Sequence, residues 1–264
     1  MDKASIIDKI NLHKKQPNLR FKLKADTETF TNLLFYTLFD IDTPVANNLD
    51  ILAEQFSNLA DLACWDANKS CDKVWESYVN QLPIILERLN LDAEATVNCD
   101  PASLSMEEVY MAYPGFYAIA IYRLAHELYK AGFPLVPRLM TEYAHRQTGV
   151  DINPGAQIGN SFHIDHGTGI VIGETAIIKD HVKIYQGVTL GGLFVAKSLQ
   201  KTKRHPTIEN NVTIYASATI LGGETVIGSN SIIGGNAWIT SSVPANSTVY
   251  HTPDIKIKTQ PNVS

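Results

Sequence analysis

Apolar positions in the first half of the chain recur at helical spacing. Leu52, Phe56, Leu59 and Ala63 form one stripe, and Val74, Tyr78, Leu82, Ile85 and Leu89 another. Pro83 lies inside the second stripe and predicts a kink or a break there. Phe116, Ala120, Leu124 and Leu128 make a third ridge, ended by Gly132 as a C-cap and by Pro134. Thr27 to Asp40 also reads as helix, despite its crowd of aromatics. The spacing therefore predicts an α-helical domain over 1–148.

From Val150 the period becomes six. Ile152, Ile158 and Ile164 are followed, after a two-residue slip, by Ile172, Ile178, Ile184 and Leu190. Ile208, Ile214 and Ile220 come next, then Ile227, Ile233 and Ile239, near which the pattern ends. A period of six suits neither an amphipathic helix nor an alternating strand. It suits a coil of hexapeptide repeats, in which a short strand and a turn make each side of a three-sided parallel β-helix. Gly159, Gly173, Gly228 and Gly234 each follow a periodic residue, where a tight corner favours glycine. The fold class is thus α+β, with the β-helix over 149–250 and a flexible tail over 251–264. Between Gly191 and Thr207 a polar, basic stretch interrupts the period; it should project from the coil as a site wall.

Composition narrows the functional classes. The net charge is −5 and no basic stretch reads as a nucleic-acid footprint. No run approaches the ~20 apolar residues of a membrane span, and the first residues lack the apolar core of a secretory signal. Three cysteines, Cys64, Cys71 and Cys99, fit reduced thiols near helical packing and a cytoplasmic location.

The repeat region holds no cysteine and no serine in a nucleophile elbow, so direct transfer without a covalent intermediate is the simpler chemistry. Direct transfer needs a base, and histidine suits neutral pH. His163, His166, His181 and His205 are available, without a recognised zinc spacing; no metal is implied. His166 stands beside Asp165 at the slip in register, where an acid, a base and two glycines interrupt the pattern. Taken alone, a histidine at such a corner is either surface decoration or a site.

The chain resembles the serine O-acetyltransferases. The resemblance runs from about Asp100 to Pro244, on DPA at 100–102, YPGFYAIAIYRLAHELY at 113–129, VDINPGAQIG at 150–159, IDHGTGIVIGETA at 164–176, GVTLGG at 187–192 and RHP at 204–206. It implies a left-handed coil, a homotrimer or dimer of trimers, and transfer of acetyl from acetyl-CoA to the L-serine hydroxyl, giving O-acetyl-L-serine for cysteine synthesis. It makes His166 the general base and Asp151 the acid that orients it. Asp100 and Asp165 would bind the substrate ammonium, Arg204 and His205 its carboxylate, and Glu174 would shape the serine site. Read alone, Asp100 is a helix N-cap, Asp151 a turn cap, and Glu174 and Arg204 solvated positions. Acetyl-CoA would lie along the outside of the coil near Gly191, Gly192, Ala216 and Ser217. The site would be shared between neighbouring chains, with the RHP loop coming from the adjacent one, and L-cysteine would act as a feedback inhibitor.

Three departures stand out. The loop LFVAKSLQKTK at 193–203 is longer and poorer in glycine than in the family, and Tyr215 stands where a small residue is usual. The tail ends in PNVS, without the terminal isoleucine by which relatives dock O-acetylserine sulfhydrylase, so that complex is doubtful. Competing readings are an acetyltransferase of a sugar or antibiotic, a metal-dependent lyase on the same coil, and a catalytically silent scaffold.

Overall fold

The computed structural model describes residues 2–14, 20–63, 72–193 and 202–252. The expectations for Cys64, Cys71, most of the 193–203 loop and the tail beyond 252 lie outside these residues. Seven described helices come first: α1 (Lys3–His13), α2 (Lys22–Phe39), α3 (Val45–Ala63), α4 (Asp72–Cys99), α5 (Met106–Ala112), α6 (Pro114–Lys130) and α7 (Val136–Thr148). The apolar stripes are their packing faces: Leu52, Phe56, Leu59, Leu82, Ile85 and Leu89 are all buried. Pro83 does not break α4, which runs through it. At the end of α6, Gly132 takes φ +73° and the amide of Phe133 returns to the Leu128 carbonyl at 3.0 Å, so the expected glycine stop is present.

Beyond α7, Gly149 (φ +73°) turns the chain into a parallel β-helix. Its first face stacks β1 (Asp151–Ile152), β4 (Val171–Ile172), β7 (Thr189–Gly191), β10 (Thr219–Leu221) and β13 (Trp238–Ile239). The second face stacks β2 (Gln157–Ile158), β5 (Ile177–Ile178), β8 (Thr207–Ile208) and β11 (Val226–Ile227). On the third lie β3 (His163–Asp165), β6 (Lys183–Tyr185), β9 (Thr213–Ile214), β12 (Ile232–Ile233) and β14 (Thr248–Val249). All the pairings are parallel and in register, so the aliphatic residue of each hexad falls on that of the coil below; Ile152, Ile172, Leu190, Ile220 and Ile239 form one such buried column. The coil continues past Ile239, through a bridge from Ile227 to Val243 and the final strand β14.

The glycines after the periodic residues have a different cause from the one expected. Gly159, Gly173, Gly228 and Gly234 do not have positive φ. They are glycine because the neighbouring coil lies against them: a Cβ at Gly159 would sit 2.7 Å from the Lys179 carbonyl carbon, and one at Gly228 2.7 Å from the Ala245 Cα. Left-handed corners go instead to Ser161, His181, Asn211, Asn230 and Asn246. Asparagine tolerates that conformation, and its amide bonds the next corner: Asn211 Nδ2 donates to Asn230 Oδ1 at 3.1 Å, and Asn230 Nδ2 to Asn246 Oδ1 at 3.0 Å.

The helical layer closes the lower end of the coil. α6 crosses it with Gly115 against Ile164, the Tyr122 hydroxyl donating to the Ala156 carbonyl at 2.5 Å, and Tyr129 at the far side. A buried pair locks the junction. Arg123 donates to both carboxylate oxygens of Asp92 at 2.5 and 2.8 Å and to the Gly159 carbonyl at 2.6 Å, while Asp92 also accepts the Phe162 amide at 2.9 Å.

Candidate active site

The two-residue slip in the hexad pattern is a widened corner between the third and first faces. Asp151 pairs with Val171, twenty residues on, whereas Val171 pairs with Thr189 after eighteen. The extra residues form the corner after β3. His166 takes φ +59°, followed by Gly167 (+98°) and Gly169 (+81°). A left-handed histidine costs on the order of 1 kcal/mol, and here the turn thrusts the ring outward, leaving its side chain 75% exposed.

Two substrate-binding candidates gather at this corner. The Asp165 carboxylate lies 3.8 Å from His166 Nε2, outside hydrogen-bond range. Asp100 follows the end of α4. It is not a helix N-cap: Ser105 caps α5, while Asp100 accepts its own turn's Ala102 amide at 2.8 Å and the Tyr113 hydroxyl at 2.7 Å. Those two bonds, with smaller contributions from the charges of His163 and His166, hold its carboxyl below the ordinary range. Asp151 opens β1 beside the same corner, but among the described residues no hydrogen bond joins it to His166. Its recorded partner is Arg138, 3.5 Å away. Glu142, His145 and Asp151 have ligand atoms within 4.8 Å of one another, and Arg138 pairs with both Glu142 and Asp151, so one of the cluster's two carboxylate charges is already offset.

The remaining candidates occupy a different edge, between the first and second faces. Glu174 stands between β4 and β5, and Arg204 and His205 lie just before β8. Arg204 is paired with Glu174, which also accepts the Tyr129 hydroxyl at 3.1 Å. Burial opposes the Glu174 charge, but these bonds outweigh it and keep the carboxyl below the ordinary range. Thr175 organises the pair: its Oγ accepts the amides of Arg204 (2.9 Å) and His205 (3.1 Å), and its amide and hydroxyl both meet His205 Nδ1, at 3.0 and 2.8 Å. Two donors on Nδ1 leave the ring proton on Nε2. Burial, then the charges of Arg204 and Lys203, lowers the His205 pKa to about 4. The His205 ring is therefore neutral at neutral pH, and of the two groups Arg204 is the one that carries a charge. The ring lies against Gly173, where any side chain would overlap it.

The groups expected to hold the cofactor divide in the same way. Gly191 ends β7 and Gly192 follows it, toward the Arg204 edge, whereas Ala216 and Ser217 sit two coils above His166 on its own edge. The Ser217 amide is committed to the Gln186 carbonyl at 2.9 Å, so Ser217 has its hydroxyl, above Gly187, to offer. Sequence reasoning did not single out Tyr113, Tyr129 or Thr175, and it read Gly173 only as a corner residue. All four lie inside the sequence motifs, but their partners are set by tertiary packing: the two ends of α6 against Asp100 and Glu174 for the tyrosines, one coil against the next for Thr175 and Gly173. Among the described residues no helix is long and apolar enough to cross a membrane.

A coil of hexapeptide repeats with an acid-flanked, outward histidine at a widened corner is the make-up of hexapeptide-repeat transferases. No family model matches the chain. A plasmid-borne serine acetyltransferase of Synechococcus elongatus is 48% identical over 191 residues, 69% of this chain and 58% of that protein. The Helicobacter pylori serine acetyltransferase is 46% identical over 128 residues, 48% of this chain and 72% of its own length. The chain spans about half the length of the cyanobacterial relatives it matches (58%, 46% and 51%). Among solved structures, serine acetyltransferase isoform 3 of Entamoeba histolytica, in complex with cysteine, superimposes with a TM-score of 0.78 at 35% identity, covering 88% of this chain and 84% of that one. The Neisseria gonorrhoeae enzyme in complex with serine (TM-score 0.64, 28% identity, 84% and 81% covered) and the Brucella abortus enzyme in complex with coenzyme A (0.64, 30%, 86% and 80%) share the fold. This chain belongs to the serine acetyltransferase family, and its coil is the left-handed β-helix of that family.

Proposed function

We propose that the chain transfers acetyl from acetyl-CoA to the hydroxyl of L-serine. The observation that carries this reading is the pair of chemically complementary edges: carboxylates around a solvent-facing histidine on one, a guanidinium and a neutral imidazole N–H on the other. An α-amino acid carries both an ammonium and a carboxylate, and a sugar carries neither. Asp100 and Asp165 take the ammonium, Arg204 and His205 the carboxylate. His166 then removes the hydroxyl proton as the serine oxygen attacks the thioester carbonyl. The C–S bond breaks, and the proton held by His166 goes to the departing thiolate, leaving O-acetyl-L-serine and CoA. Asp151 turns and steadies the ring. The complexes of relatives with serine and with coenzyme A support this choice of substrates.

The separation of the two edges supports assembly. Each chain presents its His166 edge to the Arg204 edge of the next, and three such heterologous contacts close a ring. A trimer has three complete sites; a dimer of trimers keeps them. L-cysteine shares the ammonium and carboxylate and is the fitting feedback inhibitor, as the cysteine complex of the Entamoeba relative supports. Thiol release from acetyl-CoA with L-serine, set against an amino sugar, tests the reading. Turnover with the sugar and none with serine would overturn it.

A further inference from the structure

Asp100 belongs to no helix or strand; it follows Cys99, the last residue of α4. Its place beside the coil depends on how α4 ends against the third face. The last carbonyls of a helix lack partners within it and carry the negative end of its dipole. Here the Asp100 amide satisfies the Thr96 carbonyl at 3.0 Å. The Cys99 carbonyl accepts the ammonium of Lys183, a residue of β6, at 3.0 Å. Thr96 is also held, from β3: its hydroxyl donates to the Asp92 carbonyl at 3.0 Å and meets Nδ1 of the buried His163 at 3.0 Å. His163 and Lys183 are register partners on neighbouring coils. The final turn of α4 is therefore tied twice to the coil, and the second tie lies on the residue next to Asp100.

That second tie is braced from above. The Lys183 ammonium lies over the Tyr185 ring, 4.9 Å from its centroid. Burial opposes the Lys183 charge, but the bond with Tyr185 outweighs it and the pKa is raised, so the ammonium stays charged. Tyr185 stacks in turn with Tyr215 of the next coil, with centroids 4.9 Å apart and planes 16° from parallel. Tyr215, where a small residue is usual, thus heads a line of contacts. It runs down the third face through Tyr185 and Lys183 to the backbone beside Asp100.

We propose that Lys183 is a positioning residue for serine: it pins the end of α4 to the coil and so holds Asp100 in reach of the substrate ammonium, with Tyr185 and Tyr215 bracing it. The proposal rests on the reading of Asp100 as an ammonium ligand. The Thr96–His163 and Asp92–Arg123 contacts keep α4 docked without Lys183, so Lys183→Met should fold and assemble as wild type, checked by thermal melting and sedimentation. Steady-state kinetics with each substrate varied then test the role. Lys183→Met should raise the serine KM about three- to tenfold, part of what a charge-assisted contact is worth, with kcat and the acetyl-CoA KM nearly unchanged. Lys183→Arg keeps a donor and should restore most of the loss. Asp100→Asn should cost more, and in that background Lys183→Met should add little, because both substitutions disable one contact. Tyr215→Ala should shift the serine KM in the same direction and by less. Full additivity of Asp100→Asn and Lys183→Met, an equal loss on both substrates, or an unchanged Lys183→Met would overturn the positioning role and leave the serine reading intact. An acetyl-CoA defect in Tyr215→Ala with normal serine kinetics would overturn the bracing. Unaltered serine kinetics in Asp100→Asn would remove the ammonium reading itself, and the proposal with it.

Discussion

A site divided between two edges of the coil makes a quantitative demand. His166 stands between the third and first faces, and Arg204 between the first and second. If each site takes one edge from each of two copies, chains damaged at different edges should rescue one another. His166→Ala should lose about 10²–10⁴ in turnover. Arg204→Ala removes a charge-assisted contact worth about 1.5–3 kcal/mol, roughly 10- to 150-fold in kcat/KM for serine. In trimers co-expressed from equal amounts of the two, a site is whole when its histidine edge comes from the Arg204→Ala chain and its arginine edge from the His166→Ala chain. Each choice has even odds, so about a quarter of the sites are intact. Differently tagged chains purified through both tags are mixed trimers only, each with one whole site in three, and assayed by thiol release at subsaturating serine they should recover about a third of wild-type activity. Recovery no greater than the mean of the two parents would refute the shared site and place both groups within one chain's reach.

Three further outcomes follow from the geometry. Gly173→Ala should push the His205 ring off its seat and raise the serine KM several-fold with little change in acetyl-CoA binding, checked by steady-state kinetics with each substrate varied. His163 is buried, bonded through Nδ1 to the Thr96 hydroxyl at 3.0 Å, and its pKa is lowered to about 4, first by burial and then by Lys183. Unfolded, it takes up a proton near pH 6.5, so the unfolded state binds more protons between there and about pH 4. Stability should accordingly be full above that window and fall by up to ~3 kcal/mol as pH drops through it; urea denaturation of His163→Gln should show a flatter pH profile, and an unaltered slope would contradict the assignment. L-cysteine should compete with serine and not with acetyl-CoA, and its affinity should drop in Arg204→Ala; calorimetry finding unchanged binding in that variant would place cysteine elsewhere.

The architecture was legible because both halves obey local periods. A helix repeats its buried face every three or four residues, and the coil turns one aliphatic side chain inward per six, so Leu52–Ala63 and Ile152–Ile239 announce their elements without knowledge of partners. His166 was legible for a related reason: a broken period marks a place where the backbone departs from the coil. The same local logic misjudged the glycines. Positive φ is a property of one residue, but the closeness of Lys179 to Gly159 belongs to a neighbouring coil about twenty residues away. What only the tertiary structure decided is which groups share an edge. Thr175 reaches His205 across thirty residues, Tyr113 turns back to Asp100 from the start of α6, and Tyr215 meets Tyr185 only because coils stack in register. Sequence therefore determined the elements and the corner that carries His166, whose signals lie within one turn of chain. The division of the acids and the arginine between two edges came from the winding, because the edge a residue occupies depends on how many faces the chain has passed.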